Sequence, residues 1–152
     1  MDVVEAYVKW GANGYRLPTE AEWEKAARGG LVGKTYPWGD ETLDASRADY
    51  NSGSAVSVGL YAPNGFGLYD MAGNVFQWVW DWEAADYSAA SAADPHGPAL
   101  SDGVYCATTL CRVRRGGSYA YGGQYLRVFE RMFRLTTYQA PYFGFRAASS
   151  QP

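Results

Sequence analysis

Residues 61–82, YAPNGFGLYDMAGNVFQWVWDW, constrain the fold more than any other part of the chain. Pro63, Asn64, Gly65 and Gly67 mark one tight turn, and Ala72-Gly73-Asn74 mark a second. Turns of this composition tolerate left-handed backbone and side-chain to backbone hydrogen bonds. Val75, Phe76, Trp78, Val79, Trp80 and Trp82 then form a run that is almost wholly apolar. A stretch this rich in large rings has to lie at the centre of a fold, with turns delivering the chain to it and away from it. Aromatic residues make up 16% of the chain and glycine 18 of its 152 residues, which together suggest irregular, loop-rich α+β architecture.

A chain of 152 residues is expected to form one domain, residues 1–152, and to bury roughly 70% of its unfolded surface. A net charge of -3 argues against nucleic acid as a partner. No run is long and apolar enough to span a membrane. The opening MDVVEAYVKW has neither the basic start nor the apolar core of a signal peptide. Two cysteines, Cys106 and Cys111, do not decide the redox compartment.

Local signals predict two helices. Asp2 with Glu5 can cap the first, with Val3, Ala6, Tyr7 and Trp10 on one face. Thr19 with Glu22 is a second capping box, predicting a helix over Glu20 to Arg28 that Gly29-Gly30 stops. Alternation of Val56, Val58 and Leu60 predicts a short strand, and Cys111 to Arg115 another that enters Gly116-Gly117-Ser118. Residues 83–103, rich in Ala, Ser, Asp and Pro, read as a surface loop.

Several ordered blocks resemble one family. They are Arg16 to Glu24 (RLPTEAEWE), Ala26 to Gly30 (AARGG), Tyr36 to Gly39 (YPWG), Asn64 to Val75 (NGFGLYDMAGNV), Trp78 with Asp81-Trp82, Arg115 to Ser118 (RGGS) and Gly144 to Arg146 (GFR). The chain resembles the formylglycine-generating, or sulfatase-modifying, domain family. That resemblance implies a C-type lectin-like fold, with two helices packed on short, irregular antiparallel sheets. It also implies a longer N-terminal portion than this chain carries. The family contains copper-dependent oxidases, iron-dependent sulfoxide synthases, non-catalytic members and the variable proteins of diversity-generating retroelements, so the fold alone does not fix the function.

The residues weigh against the enzymes. Copper in the oxidases is implied to need two cysteines after the Gly-Gly-Ser block, because thiolate selects Cu(I). Those positions hold Tyr121 and Leu126. Cys106 and Cys111 have the same spacing but precede the block; they read as buried or loop thiols, or a disulfide across a tight loop, or a weak metal pair. His96 is the sole histidine, too few for an iron site. The carboxylates Asp40, Glu41, Asp44, Asp81 and Glu83 read as solvated or turn-capping groups. No cofactor is required by this reading. The one that the resemblance offers is Ca2+, at the positions of Asp70, Gly73, Val75 and Gln77, where Gln77 replaces a family glutamate and so removes one negative charge.

Residues 119–143 are rich in Tyr and Phe. Leu126, Phe129, Met132 and Phe133 have helical spacing, and Glu130 could pair with Arg134 across one turn, so an amphipathic core helix is one reading. The resemblance implies another: a variable-region-like segment, 115–146, in which Arg115 to Ser118, Leu126-Arg127, Arg131 and Gly144 to Arg146 form a fixed frame. The recognition positions would be Ala120, Tyr121, Tyr125, Phe129, Glu130, Met132, Phe133, Leu135, Tyr138, Tyr142 and Phe143. Tyrosine suits such a surface because it offers large contact area at low rotamer cost and keeps a polar tip. The expected function is therefore non-catalytic binding of a protein or other surface ligand, with a formylglycine-generating-type relative that lacks the cysteine pair, or an accessory domain of such an enzyme, as the alternative. A cell-surface or virus-particle location is what the resemblance implies.

Overall fold

The computed structural model describes residues 14–39, 42–85, 97–98, 101, 104, 106 and 110–149. The helix expected after Asp2, the carboxylates Asp40 and Glu41, and His96 lie outside the described residues. Among those described, β1 (Tyr15–Arg16) is followed by α1 (Glu20–Arg28), β2 (Phe76–Trp82) and β3 (Cys111–Arg115). A 3-10 turn (Gly123–Leu126), β4 (Met132–Leu135), β5 (Phe143–Phe145) and β6 (Ala148–Ser149) complete the order. β1 and β6 pair as a two-stranded antiparallel sheet, and the main sheet has the order β4-β3-β2-β5. This is a loop-rich α+β arrangement with short, curled strands; the β2–β5 pairing is parallel, whereas β2–β3 and β3–β4 are antiparallel.

The helix begins and ends where its local chemistry says it should. Thr19 Oγ1 accepts the Glu22 N–H at 3.2 Å, and the Glu22 carboxylate accepts the Thr19 N–H at 2.8 Å. Such a cap stabilises a helix by about 1 kcal/mol. Gly29, at φ +56°, forms the left-handed stop. The last turn has a second partner from far along the chain: Asn64 Nδ2 donates to the carbonyls of Ala26 and Ala27 at 2.7 and 3.1 Å. Its Oδ1 accepts the N–H groups of Phe66 and Leu68. One side chain thus builds the first turn of the 61–82 stretch and satisfies carbonyls that the helix end leaves open.

The second turn locks onto the Gly-Gly-Ser block. Gly73 donates to Gly116 O at 2.7 Å, Asn74 to Asp49 O at 2.8 Å, and Tyr119 to Asn74 O at 2.9 Å. Gly73 has φ +80°, and a Cβ there would stand 2.3 Å from Asp49 O, so only glycine fits.

The core follows from these locks. Trp23, Ala27, Met71, Val79, Val113 and Val128 form one buried cluster between α1 and the sheet. Tyr36, Ala48, Ala72 and Leu126 form a second. Each large apolar side chain buried this way contributes roughly 1.5–3 kcal/mol. Trp23 is fully buried and donates its indole N–H to Gln77 Oε1 at 2.7 Å.

Two local expectations fail. Val56 to Leu60 is not a strand: Val58 is 84% and Leu60 63% exposed. The Asn74 carboxamide bonds both the N–H and the carbonyl of Val56, in place of a partner strand. Asp81 and Glu83 are buried rather than solvated. Asp81 Oδ2 accepts the Glu20 N–H at 2.6 Å, a helix N-terminal donor, and Oδ1 accepts that of Gly97 at 2.8 Å.

Candidate functional site

The main sheet has two unlike faces, set by the period-two alternation of β2 and β3. On the helix side lie Gln77, Val79 and Asp81 of β2, and Val113 and Arg115 of β3. Arg115 is wholly buried; its guanidinium donates to Glu20 at 2.9 Å, Glu24 at 2.6 Å and Val128 O at 2.6 Å. Arg131 reaches the same Glu20 carboxylate at 2.8 and 3.0 Å and also bonds Ala84 O. Two arginines from the segment that encloses the recognition positions therefore converge on one buried carboxylate of α1.

The opposite face carries Phe76, Trp78, Trp80 and Trp82 with Arg112 and Arg114. The Arg112 guanidinium lies 3.9 Å from the Trp82 ring centroid and 4.9 Å from that of Trp80. Arg114 lies 4.1 Å from Phe76 and 4.8 Å from Phe143. These are cation–π distances. Burial lowers the pKa of Arg114, and a hydrogen bond with Tyr121 works against that shift.

On this arginine–aromatic layer sit five of the expected recognition residues. Tyr121 meets Phe76, Tyr125 and Tyr142 edge-on with centroids 5.0–5.4 Å apart. Phe143 meets Trp78, Tyr138 and Tyr142 at 4.9–5.6 Å. The Tyr138 and Tyr142 hydroxyls are 3.2 Å apart. Burial by itself would raise the Tyr121 phenol, but hydrogen bonds with Tyr142 and Arg114, with the charge of Arg114, outweigh it and hold the group below the usual tyrosine value. Hydrogen bonds with Tyr138 and Tyr121 push Tyr142 the other way.

The remaining positions lie elsewhere on the same segment. Phe129 is 47% exposed, with the Arg127 guanidinium 5.4 Å from its ring. Glu130 pairs with Arg127 at 2.7 Å and so does not make the helical pair with Arg134. Arg134 instead stands over Tyr138, at 5.2 Å. Leu135 and Tyr138 are 39% and 41% exposed, and Ala120 is also exposed. Met132 is half-buried, and Phe133 packs partly against the core beneath α1. The amphipathic-helix reading fails, because Gly123–Leu126 forms a 3-10 turn and Met132–Leu135 an edge strand. Leu126, one of the two positions where the oxidases are implied to hold cysteine, is buried.

The expected calcium positions come together but do not fit the ion as arranged. Asp70, Gly73, Val75 and Gln77 line one open cavity of about 360 Å³, with Arg146. Nitrogen donors already face its oxygens. Gln77 Nε2 donates to Asp70 O at 2.6 Å, and Arg146 donates to Tyr69 O and Asp70 O at 3.0 and 3.3 Å. Gln77 Oε1 accepts from both Trp23 and Arg146, and Asp70 Oδ2 accepts the Gly59 N–H. Calcium needs six to eight oxygen ligands, and here an amide N–H and a guanidinium donate to the oxygens that the ion would take, with Arg146 bringing the positive charge.

Sequence reasoning missed the arginine–aromatic layer and the meeting of Arg115 and Arg131 at Glu20; of the readings offered for Cys106 and Cys111 the disulfide is the one present, and what the sequence did not show is that Glu83 is buried beside it. Alternation of Arg and Trp along the two central strands was the available signal for the first.

The family model described as Sulfatase-modifying factor enzyme 1-like domain matches residues 2–151. The formylglycine-generating enzyme of Streptomyces coelicolor is 41% identical over 95% of this chain and 49% of its own length. Among solved structures, Treponema denticola variable protein 1 aligns with a TM-score of 0.73 and 36% identity, over 90% of this chain and 48% of that one. PvdO from Pseudomonas aeruginosa aligns with a TM-score of 0.71 and 30% identity, over 88% of this chain and 51% of that one. The chain thus spans about half the length of the curated relative and of both structures.

Proposed function

The chain belongs to the sulfatase-modifying factor enzyme 1-like family, and we propose that within it this chain is a non-catalytic binding protein, displaying residues 119–143 as its recognition surface in the manner of a retroelement variable protein. The observation that carries the reading is a substitution with a definite environment. At the two positions where the oxidases are implied to hold copper-binding cysteines, Tyr121 is set in a ring cluster over Arg114 and Leu126 is buried in the core. A phenol and a leucine give neither a soft thiolate nor a thiol for exchange. Support also comes from the alignment with a variable protein over 90% of the chain.

The partner is a protein or other surface ligand. Tyr121, Tyr125, Tyr138 and Tyr142 offer rigid rings with hydroxyl tips, Phe143 adds a wholly apolar ring, and Arg134 adds a guanidinium beside them. Aromatic residues and arginine are the types that dominate binding energy in protein interfaces. The ion pairs of Arg115 and Arg131 with Glu20 hold the segment's frame, so side chains on its outer side can differ without disturbing α1.

The test lies in the DNA beside the gene. A near-copy of the codons for residues 115–146, differing at adenines and lying next to a reverse transcriptase gene, is the expected finding. Copper-dependent oxidation of a thiol peptide by the purified chain would overturn the reading.

A further inference from the structure

A cluster remote in role from the recognition segment follows the end of β2. Glu83 is fully buried, and its carboxylate is held from two sides: Oε2 accepts the Ser101 hydroxyl at 2.6 Å, and Oε1 accepts the Cys106 N–H at 3.2 Å. The Glu83 N–H donates to Cys111 O at 2.9 Å, extending the β2–β3 ladder by one bond. That bond fixes the carboxylate and the Cys111 sulfur to neighbouring backbone. Carboxylate oxygen and both sulfurs lie within 4.8 Å of one another. Cys111 is buried, Cys106 is half-buried, and the two form a disulfide.

We infer that Glu83, Cys106 and Cys111 form a redox-gated site for a thiophilic divalent cation of the zinc class, closed when the sulfurs are joined and open when they are reduced. Two thiolates with one carboxylate suit Zn2+, which takes sulfur, nitrogen and oxygen ligands in tetrahedral sites and leaves room for a water as the fourth. Ser101 supplies the outer hydrogen bond that orients a ligating carboxylate. A hard cation has no use for the two sulfurs, and the carboxylate makes the set unlike an all-sulfur Cu(I) site.

The gating step balances simply. A dithiol donates two electrons and two protons, the Cys106–Cys111 S–S bond breaks, and the dithiol becomes a disulfide. Metal binding then displaces both thiol protons to solvent. The bound set carries two thiolates, one carboxylate and a 2+ ion, a net charge of one negative unit. A half-buried Cys106 gives reductant and metal their approach.

The experiment uses the whole chain, reduced with a phosphine that does not compete for metal, and Co2+ as the spectroscopic probe. The expected result is stoichiometric binding, with thiolate-to-cobalt charge transfer and the visible bands of tetrahedral cobalt, both erased by Zn2+. The oxidised chain should show neither band. Cys106→Ser should abolish the charge-transfer signature, Glu83→Gln should weaken binding, and Ser101→Ala should weaken it by about 10-fold or more while leaving all three ligands in place. If the reduced chain binds Co2+ no better than Cys106→Ser, the site does not exist. Should Glu83→Gln and Ser101→Ala, checked as folded by circular dichroism, both bind as well as the unsubstituted chain, the carboxylate is no ligand and the proposal fails. None of these outcomes bears on the recognition surface.

Discussion

Arg114 and Arg115 are neighbours in sequence, yet they point to opposite sides of one sheet and live under different physics. Arg115 is neutralised by the carboxylates of Glu20 and Glu24 and bonded to Val128 O. Arg114, equally buried, is surrounded by the rings of Phe76, Phe143 and Tyr121 at 4.1–5.6 Å. The helix side is held by directional, charge-assisted bonds that define where α1 and the frame of the recognition segment must sit. The other side is held by ring contacts that are individually weak and geometrically tolerant. A rigid face and an adaptable face thus share a single layer of backbone.

The contrast predicts unequal losses. Arg115→Met takes from the buried Glu20 one of its two arginines and from Val128 O its charged donor, and should cost about 3 kcal/mol in urea unfolding. Arg114→Met keeps the volume, removes a desolvated charge and leaves no buried anion behind, so its loss should stay below about 1.5 kcal/mol. Equal losses would break the comparison. Thr19→Ala removes the cap that starts α1 and should cost about 1 kcal/mol. On the outer side, Phe129→Ala and Tyr138→Ala should change stability by no more than about 0.5 kcal/mol, since both rings are well exposed. A larger effect on either would move that residue from display to framework.

The smallest effect at neutral pH belongs to the tyrosines, and it sharpens the picture of the adaptable face. Tyr121 is held below its ordinary value, so in the window between its folded and unfolded pKa the unfolded chain binds more protons, and stability rises with pH. Its contribution is complete above the unfolded value and vanishes as pH falls through the folded one. Tyr142 is raised and acts oppositely, losing its contribution as pH climbs through its folded value. Ultraviolet titration should show one phenol ionising early and one late, and Tyr121→Phe should erase the early step. An unchanged curve in that variant would show that the ring cluster is not coupled to Arg114.

Much of the framework was legible because its signals are local. The Thr19–Glu22 box and Gly29 bound α1 within nine residues, and the helix runs over Glu20–Arg28 as predicted. Cys111–Arg115 was recognisable as a strand from its approach to two glycines. What stayed hidden depends on register. Whether Arg114 or Arg115 faces the helix is decided by pairing with Trp78 and Gln77, far along the chain. Val56 to Leu60 alternates like a strand, but among the described residues no partner strand stands beside it, and the Asn74 carboxamide takes up the backbone groups of Val56 instead. Glu83 lies in a polar stretch that reads as solvent-exposed, and only the fold shows that it closes over a disulfide.

The two ends of the recognition segment are tied to almost the same place. Tyr119 N–H bonds Asn74 O where the segment leaves the core, and Phe76 N–H bonds Tyr142 O where it returns. With the exits pinned to Asn74 and Phe76 at the entrance to β2, and with β4 held in the sheet between them, the stretches outside β4 and the 3-10 turn are loops whose closure is already fixed by their anchors. Doubling the length of such a loop adds only about 0.6 kcal/mol of closure entropy. Length itself, and not merely side-chain identity, is therefore a variable that this scaffold can bear.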